Sequence, residues 1–207
     1  MNKHNYCVKQ LEVFFGSDDR YIKEVLEKRE YDFYLLGDSR DLVIIDAGAN
    51  VGSFTWSILF QIKRAYLIEP IHSCVEFINE TIKTNNLHNI SVHEFALGNS
   101  VETRGFFNTE DSQTGSSSFF GGNNCEVQVK DIQTFMNEEN IGEVDLMKVD
   151  IECAELELFE SDAFSQVCPL IKNIIGERHG DRNIQAPLEK NGYKYTDLGG
   201  RFIAQRL

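Results

Sequence analysis

The sequence predicts an α/β protein: a mostly parallel sheet, helices on both faces, and an antiparallel hairpin at the end. Three observations carry this. Apolar runs of strand length recur at LVIID (42–46), AYLIEP (65–70), ISVHEFALG (90–98), VDLMKVDI (144–151) and NIIGE (173–177). Segments with helical spacing of apolar residues fall between them, the pattern of a parallel sheet with crossover helices. The final runs, YKYTDL and RFIAQRL, flank Gly199 and Gly200 as a hairpin would.

In chain order, residues 18–30 read as a helix, with Tyr21, Val25 and Leu26 on one face and an Asp pair at its start. Residues 31–36, YDFYLL, form a short strand or an entry segment. LVIID is a buried strand, and a helix runs from Ser53 to residue 63. AYLIEP is a second strand, stopped by Pro70, and residues 72–86 have helical spacing. ISVHEFALG alternates as one strand. VETRGFFN (101–108) is a further strand, partnered by CEVQV (125–129). DIQTFMNEEN (131–140), ECAELELFES (152–161) and IQAPLEKNG (184–192) are read as helices, the last with its turn. Residues 108–124 are rich in Ser, Gly and Asn and read as a loop. With Phe119 and Phe120, that loop either closes on a polar acceptor or is plain surface.

The 207 residues suit one domain over 1–207, with a helical cap or arm at 1–40 and a core at 41–207. The net charge of −13 repels phosphate backbones, which argues against a nucleic-acid partner. Five cysteines without a CxxC pair are read as reduced thiols of a cytoplasmic protein. The start MNKHNYCVKQ lacks a signal peptide's apolar region, and no stretch has the roughly 18 apolar residues of a membrane span.

The chemistry concentrates at strand ends. IDAGANVG (45–52) makes a strand, a glycine turn and a helix start, the usual place for a nucleotide in an open α/β sheet. Gly48 and Gly52 are expected to let the backbone approach a ligand, Gly48 at positive φ. The spacing is GxxxG, with Asn50 where GxGxxG has its middle glycine. Asp46 sits at the mouth of the turn. A carboxylate there repels a diphosphate and attracts an ammonium or sulfonium, so S-adenosylmethionine fits better than NAD. Glu69 ends the next strand, where an acid binds ribose hydroxyls. Glu94, Phe95 and Ala96 are the candidates to lie beside the adenine.

Residues 148–155, KVDIECAE, place Asp150, Glu152 and Glu155 just past a strand. Asp150 is a candidate base for an acceptor hydroxyl, a divalent-cation ligand with Glu177 or His179, or a stabiliser of the helix start. Glu152 and Glu155 share a helix face, and helix capping competes with a catalytic role for both. Lys148 requires an acidic partner if it faces inward. His179, at the end of IIGERH, has an intrinsic pKa suited to a general base. The candidate catalytic residues are therefore His179, Asp150, Lys148 and Glu152. The sequence lacks the Asn/Asp-Pro-Pro-aromatic segment that base N-methylating enzymes use to hold a planar amine.

IDAGANVGSFT, YLIEP, the ALGN segment, KVDIECAE and IIGERH together resemble the FkbM family of S-adenosylmethionine-dependent methyltransferases, in matching order over roughly residues 40–207. The family pattern usually has Gly where this chain has Cys153. The resemblance implies a class I methyltransferase (Rossmann-like) fold of seven strands, with the last strand inserted antiparallel. It implies O-methylation of a sugar, glycan or small natural-product hydroxyl, with S-adenosylhomocysteine as product. Cofactor binding falls to Asp46, Gly48, Asn50, Gly52 and Glu69, and the acceptor side to Asp150, Glu152, Glu155 and His179. Three readings stay beside it: a metal-assisted O-methyltransferase, a nucleotide-binding module without methyl transfer, and a non-catalytic scaffold of the same fold.

Overall fold

The computed structural model describes residues 4–8, 11–15, 40–108, 124–180 and 182–207. The expected helix at 18–30 and segment 31–36 lie outside the described residues, as does most of the 108–124 loop. The chain opens with a hairpin, β1 (His4–Val8) and β2 (Leu11–Phe15), paired antiparallel. The strand β3 (Leu42–Ala47) leads into the short helix α1 (Ser53–Ser57). There follow β4 (Ile62–Ile68), α2 (His72–Thr84), β5 (Ile90–His93), β6 (Ala96–Gly98) and β7 (Glu102–Phe106). After the loop come β8 (Cys125–Asp131), α3 (Ile132–Glu138), β9 (Leu146–Val149), α4 (Glu155–Glu160) and α5 (Asp162–Val167). The chain ends with β10 (Asn173–Glu177), α6 (Gln185–Lys190), β11 (Tyr193–Asp197) and β12 (Arg201–Arg206).

Seven strands form the main sheet in the order β11-β12-β10-β9-β3-β4-β5. Pairings among β10, β9, β3, β4 and β5 are parallel, and β12 is inserted antiparallel to both β10 and β11. The order reverses between β3 and β9, and the carboxyl ends of these two strands meet there. Open sheets bind ligands at such a switch point.

Alternation along the strands splits the core into two layers. Ile44, Ala65 and Leu67 face Phe54, Trp56, Phe77 and Ile78 of α1 and α2, with Leu11, Val13 and Phe15 of β2 completing that layer. Ile45, Ala47, Met147 and Val149 face the other way, onto Phe135, Leu158, Phe164 and Leu188 of α3, α4, α5 and α6. The hairpin is tied to α2 by the Glu12 amide donating to Asn85 Oδ1 and the Phe14 amide donating to Thr81 Oγ1.

Several boundaries differ from the sequence expectation. ISVHEFALG is not one strand. β4 ends opposite His93, so no further partner is available in the main sheet. The chain turns there, Phe95 drops into the core, and Ala96–Gly98 pairs with β8 in a second, three-stranded sheet. The helix expected at 152–161 begins only at Glu155, because Glu152 (φ 50°) and Cys153 (φ 78°) are left-handed. The helix expected to run from Ser53 to 63 ends at Ser57, a 3₁₀ turn follows, and β4 starts at Ile62.

Candidate functional site

The turn after β3 is built around one buried charge cluster. Asp46 ends in the sheet, with 0% of its surface exposed. Its Oδ2 accepts a hydrogen bond from Thr55 Oγ1 at 2.7 Å, and its Oδ1 lies 3.5 Å from Lys148 Nζ. Lys148 stands beside it on β9, in register with Asp46. Its Nζ donates to the Gly48 carbonyl at 2.6 Å and lies 3.5 Å from Asp150 Oδ2. The sequence requirement that this lysine find an acidic partner is thus met twice. Burial pulls the Lys148 ammonium down, but Asp150, Asp46 and Glu69 outweigh it and hold it above the ordinary lysine value. Burial raises the Asp46 carboxyl, and Lys148 and Thr55 offset part of that. The Lys148 side chain is 5% exposed and its ammonium is spent on the turn, which makes it a positioning residue.

The glycines make room for protein. A Cβ on Gly48 (φ 73°) would sit 1.8 Å from the Asp150 carbonyl oxygen, and one on Gly52 (φ 83°) would strike the Trp56 indole. That indole in turn donates to the Val51 carbonyl at 2.7 Å. Asn50 takes positive φ (52°) without being glycine, which asparagine tolerates better than most residues. Glu69, also buried, braces the far side of the turn. Its Oε2 accepts from the Asn50 amide at 2.8 Å and its Oε1 from the Ile71 amide at 2.9 Å. Burial, against those two amides, pushes the Glu69 carboxyl up to about 7.

Four of the turn's amides are already occupied. Gly48 and Ala49 both donate to the Ile68 carbonyl, Gly52 donates to Ala49, and Asn50 donates to Glu69. A phosphate cradle needs free amides and a helix N-terminus pointing at the anion. Here four amides point into the protein, the following helix has five residues, and buried carboxylates face the turn. Two buried polar atoms, Asp46 Oδ1 and Ser53 Oγ, have no hydrogen-bond partner among the described residues. This donor set fits a cationic, phosphate-free nucleoside such as S-adenosylmethionine.

Asp150 links the turn to a second cluster. Its amide donates to the Ala47 carbonyl, its Oδ2 faces Lys148, and its Oδ1 lies 3.8 Å from His179 Nε2. The same Nε2 lies 3.5 Å from Glu152 Oε2, and His179 Nδ1 lies 2.9 Å from Glu155 Oε1. Glu155 is buried, and its Oε1 also accepts the Ile151 amide. The left-handed pair at Glu152 and Cys153 is what turns Glu152 back toward the imidazole. Burial lowers the His179 imidazole, but the Glu155 hydrogen bond and the charges of Asp150, Glu152 and Glu155 carry it up to about 9. Burial, opposed by His179, pushes Glu152 up to about 7. His179 alone is therefore an imidazolium near neutrality, not the free base its intrinsic pKa suggests. Asp150, Glu152 and His179 have donor atoms within 4.8 Å of one another. Glu177, the other expected cation ligand, stays in β10 opposite Arg201, and Glu152 takes its place in the cluster.

The adenine candidates separate. The Phe95 ring packs in the core against Phe135, Glu94 pairs at the surface with His72, and Ala96 is buried at the start of β6. Sequence reasoning did not foresee Thr55 or Trp56. Both lie in SFTWS (53–57), one turn after the glycines, where the hydroxyl and the indole reach back to the loop.

Comparison with known proteins agrees with this geometry. The methyltransferase FkbM domain matches residues 46–195. A methyltransferase FkbM from Methylobacillus flagellatus is similar in structure at a TM-score of 0.54 and 15% identity, covering 83% of this chain and 45% of that one. Trm5b from Pyrococcus abyssi superposes at 0.53 with 12% identity, over 98% of this chain and 54% of its own. Magnesium protoporphyrin IX methyltransferase from Synechocystis, with bound S-adenosylmethionine, gives 0.53 and 12%, over 93% and 87%. The chain thus spans about half the length of the first two. A search of curated proteins found no match. Among the described residues, no helix is long and apolar enough to cross a membrane.

Proposed function

The chain belongs to the FkbM methyltransferase family, and from that premise we propose that it is an S-adenosylmethionine-dependent O-methyltransferase acting on a hydroxyl of a sugar, glycan or small natural product. The observation that carries the cofactor is the turn: four of its amides are consumed internally and its buried charges are mostly acidic. A diphosphate would meet buried carboxylates behind amides that already have partners, whereas a sulfonium with an ammonium is attracted by the same carboxylates. The acceptor class follows the family resemblance.

When bound, the cofactor supplies a methyl group on a sulfonium leaving group, so that the acceptor hydroxyl becomes a methyl ether and S-adenosylhomocysteine leaves. The protein's part is positioning and proton handling. Lys148 fixes the turn by holding the Gly48 carbonyl between Asp46 and Asp150. Glu69 holds Asn50 and keeps lone pairs for ribose hydroxyls. Asp150 sits at the boundary of the two clusters, 3.8 Å from His179 Nε2, and in this reading its carboxylate takes the acceptor hydroxyl's proton while His179 orients it.

The test is calorimetric titration with S-adenosylmethionine, S-adenosylhomocysteine and NAD, followed by a labelled-methyl transfer screen beginning with sugars. Binding of both adenosyl compounds and not NAD is expected. Asp150→Asn and His179→Ala should then lose turnover while keeping cofactor affinity. NAD binding without the adenosyl compounds would overturn the proposal.

A further inference from the structure

We infer that Asp150, Glu152 and His179 form a divalent-cation site at the acceptor side of the cleft. Their donor atoms lie within 4.8 Å of one another. His179 Nδ1 lies 2.9 Å from the buried Glu155 carboxylate, a donor–acceptor distance that ties down the Nδ1–H. That contact holds the ring with Nε2 facing Asp150 and Glu152, where an ion would take the place of the Nε2 proton. A carboxylate holding the far nitrogen of a ligating histidine is the usual outer partner in metal sites.

The other separations point the same way. Nε2 lies 3.8 Å from Asp150 Oδ1 and 3.5 Å from Glu152 Oε2. Both are too long for hydrogen bonds. Atoms bound at about 2.1 Å to one ion lie about 3–3.5 Å apart, so a small inward movement closes the set. All three side chains are partly exposed, at 24%, 30% and 20%, so the ion's open side is reachable by an acceptor. The donors come from three different backbone stations: the end of β9, the left-handed residue before α4, and the loop after β10.

The donor set selects the ion. Two carboxylates and one imidazole suit Mn²⁺ or Zn²⁺ better than Ca²⁺, which takes six to eight oxygens. Three protein donors leave open positions on a six-coordinate ion. Use of those positions in methyl transfer rests on the proposed function, with the acceptor hydroxyl and a neighbouring oxygen as the fitting ligands. The ion would then acidify the hydroxyl.

The experiment reads the metal directly. Mn²⁺ is titrated into the full chain without cofactor and followed by electron paramagnetic resonance, with S-adenosylmethionine affinity measured in parallel. One Mn²⁺ per chain is expected, with a dissociation constant below about 100 μM. Asp150→Asn, Glu152→Gln and His179→Gln should each weaken it at least 10-fold. Glu155→Gln should weaken it about 10-fold through loss of the orienting bond. Circular dichroism and retained cofactor affinity show that each variant is folded. Cofactor binding with no Mn²⁺ uptake at 1 mM, or uptake unchanged in all four variants, overturns the site and leaves the methyltransferase reading standing. Mn²⁺ uptake without cofactor binding does the reverse.

Discussion

Lys148→Met tests the buried cluster most directly. Methionine keeps the length and apolar stem of lysine and removes only the ammonium. Three things are lost: the 2.6 Å donor to the Gly48 carbonyl and the two 3.5 Å contacts to Asp46 and Asp150. Asp46 is then a fully buried carboxylate held by Thr55 alone. Removing one partner of a buried pair costs about 3–5 kcal/mol. At about 2–4 °C per kcal/mol for a chain of this size, the melting temperature should fall by about 6–20 °C. The deficit should also depend on pH. Without Lys148, burial drives the Asp46 pKa further above its unfolded value, so the variant is best off with Asp46 protonated. It loses stability as pH rises above the unfolded value. In the wild type, the lysine contribution is fully present below about pH 10 and is lost only above it. The gap between the two proteins should therefore widen from pH 5 to pH 8. Adding Asp46→Asn to Lys148→Met removes the orphaned charge and should recover at least half of the loss. Thermal unfolding followed by circular dichroism reads all of this. A deficit under about 1 kcal/mol, or one that is flat between pH 5 and 8, would refute the reasoning.

Gly48→Ala should cost about 3 kcal/mol or more, because the new Cβ meets the Asp150 carbonyl oxygen at 1.8 Å in addition to its left-handed strain. Urea unfolding within 1 kcal/mol of wild type would show that β3 and β9 can part more easily than their packing indicates. Cys153→Gly should stabilise by about 0.5–1 kcal/mol: it relieves a φ of 78° worth about 1–2 kcal/mol and returns about half of that as chain entropy. The same urea assay checks the sign. Thr55→Val keeps the shape and deletes the 2.7 Å bond to Asp46, for a loss of about 1.5–3 kcal/mol by thermal unfolding.

The sheet was legible because its strands are apolar runs bounded by turn residues, and both core layers can be read from Ile44 and Ile45 facing opposite ways. The N-terminal hairpin carried a period-two signal in Leu11, Val13 and Phe15, all buried. A five-residue strand in an arm expected to be helical is easily passed over. The break at Glu94 was not legible, since it depends on where the neighbouring strand ends. At the site, residue types at strand ends were enough to mark Asp46, Glu69, Asp150 and His179 as a group. Their mutual pairing was not, because it depends on register: Lys148 opposes Asp46 only because β9 lies beside β3 with that alignment. The pH behaviour of His179 was hidden for the same reason, as three carboxylates of the 150–155 stretch converge on it from the neighbouring strand's end.

Glu69 allows the cofactor reading to be tested in two opposite directions. Its carboxyl is pushed up to about 7 by burial, so it ionises in the range where most assays are run. The ionised form accepts the Asn50 and Ile71 amides and still has lone pairs for two ribose hydroxyls. Bonds to a charged acceptor are roughly twice as strong as neutral ones, a difference of about 1 kcal/mol each. Affinity for S-adenosylmethionine should therefore rise about 10-fold or more between pH 6 and pH 8. The stability of the free protein should move the other way. An acid whose folded pKa is raised contributes most while protonated, so stability falls as pH climbs from the unfolded value of 4.5 through about 7. Glu69→Gln removes both trends, leaving calorimetric affinity flat at the low-pH level and lifting that slope from the unfolding curve. If affinity and stability instead rise together with pH, Glu69 is not the group that titrates against the ribose. The turn would then owe its ligand to Asp46 and its neighbours alone.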